Sequence, residues 1–333
     1  MNLNDRIDAI SRLGTYLIGD FETEFLDILT KAEINNPWFT IDNQKQALMN
    51  IGMQLNNSNL NAWISPYKLK QNPIPEDVLI IMAGNIPLVG FYDLISVIVT
   101  GNNATVKMSS NDNILLPYLI KKLTEINIGF KQIIQFTGKV RGKIYNKVIA
   151  TGSNISSRYF EYYFRDTSCL IRKNRRSIAI LNGNEDRNEL EQLGHDVFSY
   201  FGLGCRNVSK FYIPVGYDLD KLFQAFYSYR NIIEHRKYAN NYDYYKAILL
   251  MGNNKFMDNG FVILKEDSSL DSPVAIQYYQ FYSNIEEVHD MISKNHTKLQ
   301  CIVSREDVLF GEAQKPNLWD YSDGIDTIDF LIS

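Results

Sequence analysis

The chain has 333 residues, 45% hydrophobic and 22% charged, the make-up of an ordinary globular protein with room for two domains or one large one. Its formal net charge of -4 gives no global attraction to nucleic acid or to an anionic membrane, so neither is expected as a main partner. The N-terminus lacks a basic segment followed by an apolar run, and no stretch approaches the roughly 18 apolar residues of a span; a cytoplasmic protein with no membrane span is expected.

Cys169, Cys205 and Cys301 are odd in number, widely spaced and outside any CxxC arrangement, which argues against a disulfide framework or a cysteine-based zinc site. His195, His235, His289 and His296 show no HExxH spacing, so no metal site is expected, and His195 and His235 read as structural.

Helical apolar spacing opens the chain, in Ile7, Ile10, Leu13, Tyr16 and Leu17 and again in Ala47, Leu48, Ile51 and Leu55, and predicts a helical lead-in. From Pro73 short apolar runs alternate with helix-length segments, at 78–82, 88–100, 104–108, 114–126, 132–136, 148–151 and 177–181. Strands alternating with helices imply an α/β fold of parallel βαβ units, with a nucleotide-sized crevice at the strand ends. After Asn182-Gly183-Asn184 a second series predicts a helix over 185–201, a strand over 210–214, and helices over 218–233 and 242–251. Strands at 261–264 and 274–281, a helix at 285–294 and a strand at 299–303 close it. The turn near Gly183 is the expected boundary, giving residues 1–182, 183–309 and a terminal segment 310–333 that packs back on the first part.

In Phe201-Gly202-Leu203-Gly204-Cys205-Arg206-Asn207 a cysteine sits between flexible backbone and an adjacent cation. Glycine lets the backbone approach a substrate closely, and Arg206, with any helix start just after the turn, would favour a thiolate. A lone cysteine is otherwise commonly core filler. Asn85, in Ala83-Gly84-Asn85-Ile86-Pro87, follows a predicted strand, so its amide projects where ligands collect and can donate to an oxyanion; a plain turn would read the same. Lys107 ends the next strand. Ala150-Thr151-Gly152-Ser153-Asn154 joins a strand to a helix and suits a phosphate near unpaired amides, although a serine N-cap would look identical. Arg165, Arg172, Lys173, Arg175 and Arg176 form a cationic cluster, either a partner for the phosphates of a nucleotide or coenzyme A or a solvated face.

Taken in order, Gly84-Asn85-Ile86-Pro87, Ala104-Thr105-Val106-Lys107, Ala150-Thr151-Gly152-Ser153, Gly202-Leu203-Gly204-Cys205 and Ser272-Pro273-Val274 resemble the succession of motifs in the aldehyde dehydrogenase superfamily. More closely, Arg158-Tyr159-Phe160-Glu161-Tyr162-Tyr163-Phe164, Arg175-Arg176-Ser177 and residues 202–210 resemble the LuxC-like acyl-CoA reductase family, whose best-known members supply long-chain aldehyde to bacterial luciferase. The resemblance implies an aldehyde-dehydrogenase-like fold of two Rossmann-like parallel-sheet domains with an N-terminal helical lead-in, residues 1–182 binding the cofactor and 183–309 carrying the nucleophile. It implies Cys205 as nucleophile, Asn85 as oxyanion donor, Lys107 on the cofactor ribose, and Gly152 with Ser153 as the cofactor phosphate turn.

The departures from the family pattern are equally specific. Where ordinary aldehyde dehydrogenases keep a glutamate in Glu-Leu-Gly-Gly-Lys to activate the deacylating water, this chain has Arg172-Lys173-Asn174-Arg175-Arg176. A thioester reductase does not need that base, because hydride rather than water resolves its thioacyl-enzyme. Ser269 stands where oxidising relatives hold the nicotinamide ribose with a glutamate. Ser109 and Ser110 stand where NAD-preferring relatives place a carboxylate, so nothing repels a 2′-phosphate and NADPH is expected, with NADH as the alternative. The resemblance thus implies an oxidoreductase reducing an acyl-CoA, of the fatty acyl class, to the aldehyde, with an acyl-transferring or aldehyde-consuming enzyme as partner. Two rivals remain at this stage: a non-acylating aldehyde dehydrogenase, and a catalytically silent subunit that binds an acyl group or a nucleotide.

Overall fold

The computed structural model describes residues 1–140 and 142–333. Four helices open the chain: α1 (Leu3–Ile18), α2 (Thr23–Asn35), α3 (Ile41–Gln54) and α4 (Asn57–Ile64). A capping box starts α1, the Asn2 side chain accepting the Asp5 N–H while the Asp5 carboxylate accepts the Asn2 N–H. The stripe read from the sequence, Ile7, Ile10, Leu13 and Leu17, is buried, and α1 packs on α3.

The chain then alternates as β1 (Asp77–Ile81), α5 (Phe91–Thr100), β2 (Asn103–Lys107), α6 (Leu115–Ile126), α7 (Phe130–Ile133), β3 (Ile134–Phe136), β4 (Lys147–Thr151), α8 (Asn154–Tyr163) and β5 (Ser168–Arg172). These strands form a parallel sheet in the order β3-β2-β1-β4-β5. Val78, Leu79 and Ile80 of β1 are buried on both faces, as an apolar run in a covered parallel sheet must be. The second series comprises β6 (Arg176–Ile180), α9 (Arg187–Phe198), β7 (Val208–Pro214), α10 (Asp220–Phe226), α11 (Arg236–Met251), β8 (Met257–Asp258), β9 (Ile263–Glu266), β10 (Ile276–Tyr282), α12 (Ile285–Asn295) and β11 (Leu299–Val303). Its sheet runs β11-β6-β7-β10-β9-β8, parallel except for the β8–β9 pair. Helix α13 (Thr327–Ile332) ends the chain.

Two compact units result, Met1–Asn174 with Asn317–Ser333, and Arg175–Pro316. The strand expected to close the first unit, β6, instead pairs with β7 and β11, so the chain passes into the second unit at 174/175 and not at the turn near Gly183. Phe310 and Ala313 belong to the second unit's core, and the return begins only at Asn317. Alternation in sequence does not say which sheet a strand joins; hydrogen-bond pairing decides that.

Within the first unit the returning segment is tied down by two buried cations. Lys147 Nζ donates to the carbonyls of Phe330 (3.1 Å), Leu331 (2.9 Å) and Ser333 (2.8 Å), which caps the end of α13. Arg172 pairs with Asp93 (2.7 Å) and donates to the Ser322 carbonyl (2.5 Å) and the Thr327 hydroxyl (2.7 Å). Among the described residues no helix is long and apolar enough to cross a membrane.

Candidate active site

In the first sheet the chain runs outward from β1 to β2 and β3 on one side, while β4 and β5 lie on the other, so the crossovers diverge between β1 and β4. That divergence opens a crevice beyond the carboxyl ends of the strands, where Ile81, Lys107 and Thr151 end β1, β2 and β4. Asn85 lies there, exposed, on the loop between β1 and α5. The loop is anchored one turn later. Leu88 takes a left-handed backbone conformation (φ 61°) and donates its N–H to Asp112 Oδ2 at 2.7 Å. Burial pushes the Asp112 carboxyl up to about 6 against the opposing pull of that N–H. Asp112 belongs to the turn that follows β2, in which Ser109 Oγ accepts the Asn111 N–H (3.2 Å) and the Ser109 carbonyl accepts the Asp112 N–H (3.2 Å). The segments carrying Asn85 and Ser109 are thus hydrogen-bonded together.

A cavity of about 500 Å³ opens beside this edge, with Lys107 in its wall. The topology accounts for it. The connection that carries the chain from the β3 edge across to β4, residues 137–146, has no helix among its described residues, so this face of the sheet is covered only by that loop and α8. Tyr145 and Ile144 come from the loop, and Tyr159, Phe160 and Tyr163 from α8, which makes the wall largely aromatic. Such a wall suits a flat nucleobase. The Lys107 ammonium forms no ion pair among the described residues. Gly152, after β4, lies so near α8 that a β-carbon would stand 2.9 Å from Ser156 Cβ and 3.0 Å from Phe160 Cε2. Ser153 is the N-cap of α8, its Oγ accepting the Ser156 N–H at 3.2 Å. The serine thus caps the helix, the N-cap reading of that junction, and the first-turn amides lack i−4 partners within the helix.

Cys205 stands in the second unit, partly buried, and the three cysteines form no disulfide. The turn before it is unusual. Tyr200 (φ 51°), Phe201 (φ 58°) and Gly202 (φ 76°) are successively left-handed, a conformation that costs a non-glycine residue about 1 kcal/mol or more and persists only where the surroundings impose it. The surroundings are Asn207, only 2% exposed. Its Nδ2 donates to the carbonyls of Asp196 (3.0 Å), Val197 (3.4 Å) and Ser199 (2.8 Å) at the end of α9, and its Oδ1 accepts the Gly204 N–H (2.8 Å). His235 packs on Phe201 with ring centroids 4.2 Å apart and planes tilted by 31°, and caps α11.

The expected aids to a thiolate are differently used. No helix starts after Cys205, because the chain turns through Arg206 and Asn207 straight into β7. Arg206 Nε donates to the Ala313 carbonyl at 2.6 Å. Asp196, fully buried on α9, holds the same segment, accepting the N–H groups of Gly311 (2.6 Å) and Ala313 (3.0 Å), and burial pushes its carboxyl up to about 7 despite those donors. Burial, then Lys315, lowers the pKa of the neighbouring His195.

The residues of the cationic cluster are engaged with separate partners. Arg172 is buried against Asp93, Lys173 pairs with Glu161 (2.7 Å) and Arg165 with Asp166 (3.3 Å). Arg175 donates to the Leu299 carbonyl (3.0 Å), and Arg176 pairs with Asp271. The run of charge concealed β5, whose inward residues are Leu170 and Arg172 itself. Ser269 lies on a loop held by the buried Lys210, which donates to the Ser268 carbonyl and to Gln280 Oε1, both at 2.9 Å; burial lowers that ammonium to about 8. Among the described residues no group of three histidine, cysteine or carboxylate side chains could hold a metal ion.

No protein-family model matches the sequence, and no curated protein matches it. Solved structures do match. The chain is similar to aldehyde dehydrogenase 21 from Physcomitrella patens, in complex with the reaction product succinate, with a TM-score of 0.65 at 13% identity over 92% of this chain and 74% of that one. The fold is that of the aldehyde dehydrogenases. Similar too are the NAD+ complex of an aldehyde dehydrogenase from Bacillus cereus (TM-score 0.64, 14% identity, 91% of this chain and 72% of that one) and an indole-3-acetaldehyde dehydrogenase in complex with NAD+ (0.66, 10%, 91% and 72%). The sequence singles out neither Asn207, whose side chain closes the turn before Cys205, nor Ser177, which donates to the Cys205 carbonyl. Asn207 adjoins the cysteine motif, yet nothing in its spacing marks a side chain that closes a turn backwards.

Proposed function

We propose that the chain reduces an acyl-CoA, of the fatty acyl class, to the aldehyde with NADPH, through a thioacyl intermediate on Cys205. The observation that carries this reading is the partly buried Cys205 at the end of a strained turn imposed by buried hydrogen bonds. The Cys205 sulfur, as thiolate, attacks the thioester carbonyl carbon; the carbon–sulfur bond to coenzyme A then breaks, and coenzyme A leaves as its thiolate. Asn85 and the Cys205 N–H stabilise the oxyanion formed in that attack. This reading assigns a nicotinamide dinucleotide to the first unit, with the aromatic wall for its adenine, Lys107 for its ribose, Gly152 and Ser153 for its phosphates, and Ser109 in place of a carboxylate that would repel a 2′-phosphate; the cavity and the close Gly152–α8 junction support it. Bound NADPH supplies the hydride that releases the acyl group as aldehyde. Arg172 in place of the water-activating glutamate of ordinary aldehyde dehydrogenases, committed to Asp93, supports reduction over hydrolysis.

The test is a steady-state assay with long-chain acyl-CoA and NADPH, set beside one with aldehyde, NADP+ and no coenzyme A. Aldehyde formation in the first and silence in the second is the expected outcome. Fast oxidation to the acid in the second overturns the reading. Asn85→Ala should lower turnover by roughly 100-fold or more, the effect of losing one oxyanion donor.

A further inference from the structure

The two peptide planes flanking Cys205 are each held by a hydrogen bond. The Asn207 N–H donates to the Gly204 carbonyl at 3.1 Å, which fixes the plane of the 204–205 peptide. Because a trans peptide points its N–H opposite its C=O, that bond also sets the direction of the Cys205 N–H. On the other side, Ser177 Oγ donates to the Cys205 carbonyl at 2.9 Å, which fixes the 205–206 plane. Ser177, on β6, is fully buried. Its single hydroxyl proton goes to Cys205, so it meets Cys301 as an acceptor: from the Cys301 N–H (3.3 Å) and from the Cys301 S–H, with Sγ 3.0 Å away. The hydroxyl is thereby fixed from three directions.

We infer that Ser177 and Asn207 are positioning residues that lock the peptide planes on both sides of Cys205 and so preset its N–H as an oxyanion donor. The inference rests on the reading of Cys205 as the nucleophile. A peptide free to rotate could turn its carbonyl toward the developing negative charge, and the donor would become a repulsive dipole. Ser177 and Asn207 prevent this without touching the substrate.

Two reactions of the same sulfur separate this role from a merely structural one. Transfer from tetradecanoyl-CoA builds an oxyanion; alkylation by iodoacetamide, a displacement at saturated carbon, does not. Ser177→Ala should slow acylation of Cys205, followed by rapid-quench mass spectrometry, by about ten-fold or more, while alkylation stays within about two-fold of wild type. Ser177→Thr, which keeps the hydroxyl, should restore acylation, and Ser177→Val, of the same shape without it, should not; this pair carries the test if the alanine variant folds poorly. Equal acylation in the threonine and valine variants overturns the inference. So does a parallel fall of acylation and alkylation, which would place the damage at the sulfur. A wild type that iodoacetamide labels but tetradecanoyl-CoA never acylates, alone or with other acyl-CoAs, removes the nucleophile reading and the inference with it.

Discussion

Asp196 is a carboxylate with no ion pair among the described residues, held by two backbone N–H groups in a fully buried position. With its folded pKa raised to about 7 from an ordinary value near 4, it binds more protons folded than unfolded between those limits. Its contribution to stability is therefore present at low pH and lost as the pH rises toward 7. Urea unfolding at fixed ionic strength should show wild type losing stability relative to Asp196→Asn between about pH 5 and 7, by at most about 1.4 kcal/mol per pH unit. A difference that is flat, or that grows with pH, would show the carboxyl to be ionised throughout. Asp112 acts at the same scale on the first unit. Asp112→Ala leaves the left-handed Leu88 N–H without its acceptor and should cost about 1–3 kcal/mol, read as a lower thermal midpoint.

At the scale of elements, α8 meets the β4 end at Gly152, where there is no room for a methyl group. Gly152→Ala should push α8 outward, cost about 1–3 kcal/mol and weaken NADPH binding, measured by quenching of protein fluorescence. Unchanged affinity would separate this junction from the cofactor. The same elements show what the sequence carried and what it hid. Period and punctuation disclosed α1, the strands at 78–82 and 104–108, and the junction at Gly152, because the local pattern determines them. Strand β5 was hidden because its inward side includes an arginine, whose burial depends on Asp93, 79 residues earlier in the chain. The cysteine motif was legible, but its support was not, since Ser177 lies 28 residues before Cys205 and meets it only through the pairing of β6 with β7.

Over the whole molecule the chain leaves its first unit at Asn174 and returns at Asn317, and the return is held by charges that burial makes costly to strand. Asp93→Ala would remove the carboxylate paired with the buried Arg172 and should destabilise the first unit by about 3–5 kcal/mol, with proteolysis then reaching residues 317–333. Resistance equal to wild type would show the pair to be dispensable. Above these scales stands the claim that Cys205 carries an acyl group between coenzyme A and a hydride. Intact-protein mass spectrometry after incubation with long-chain acyl-CoA tests it most directly. One acyl increment is expected, absent from Cys205→Ala at an unchanged thermal midpoint and removed from wild type when NADPH is added. An increment that persists in Cys205→Ala, or that NADPH leaves in place, would contradict it.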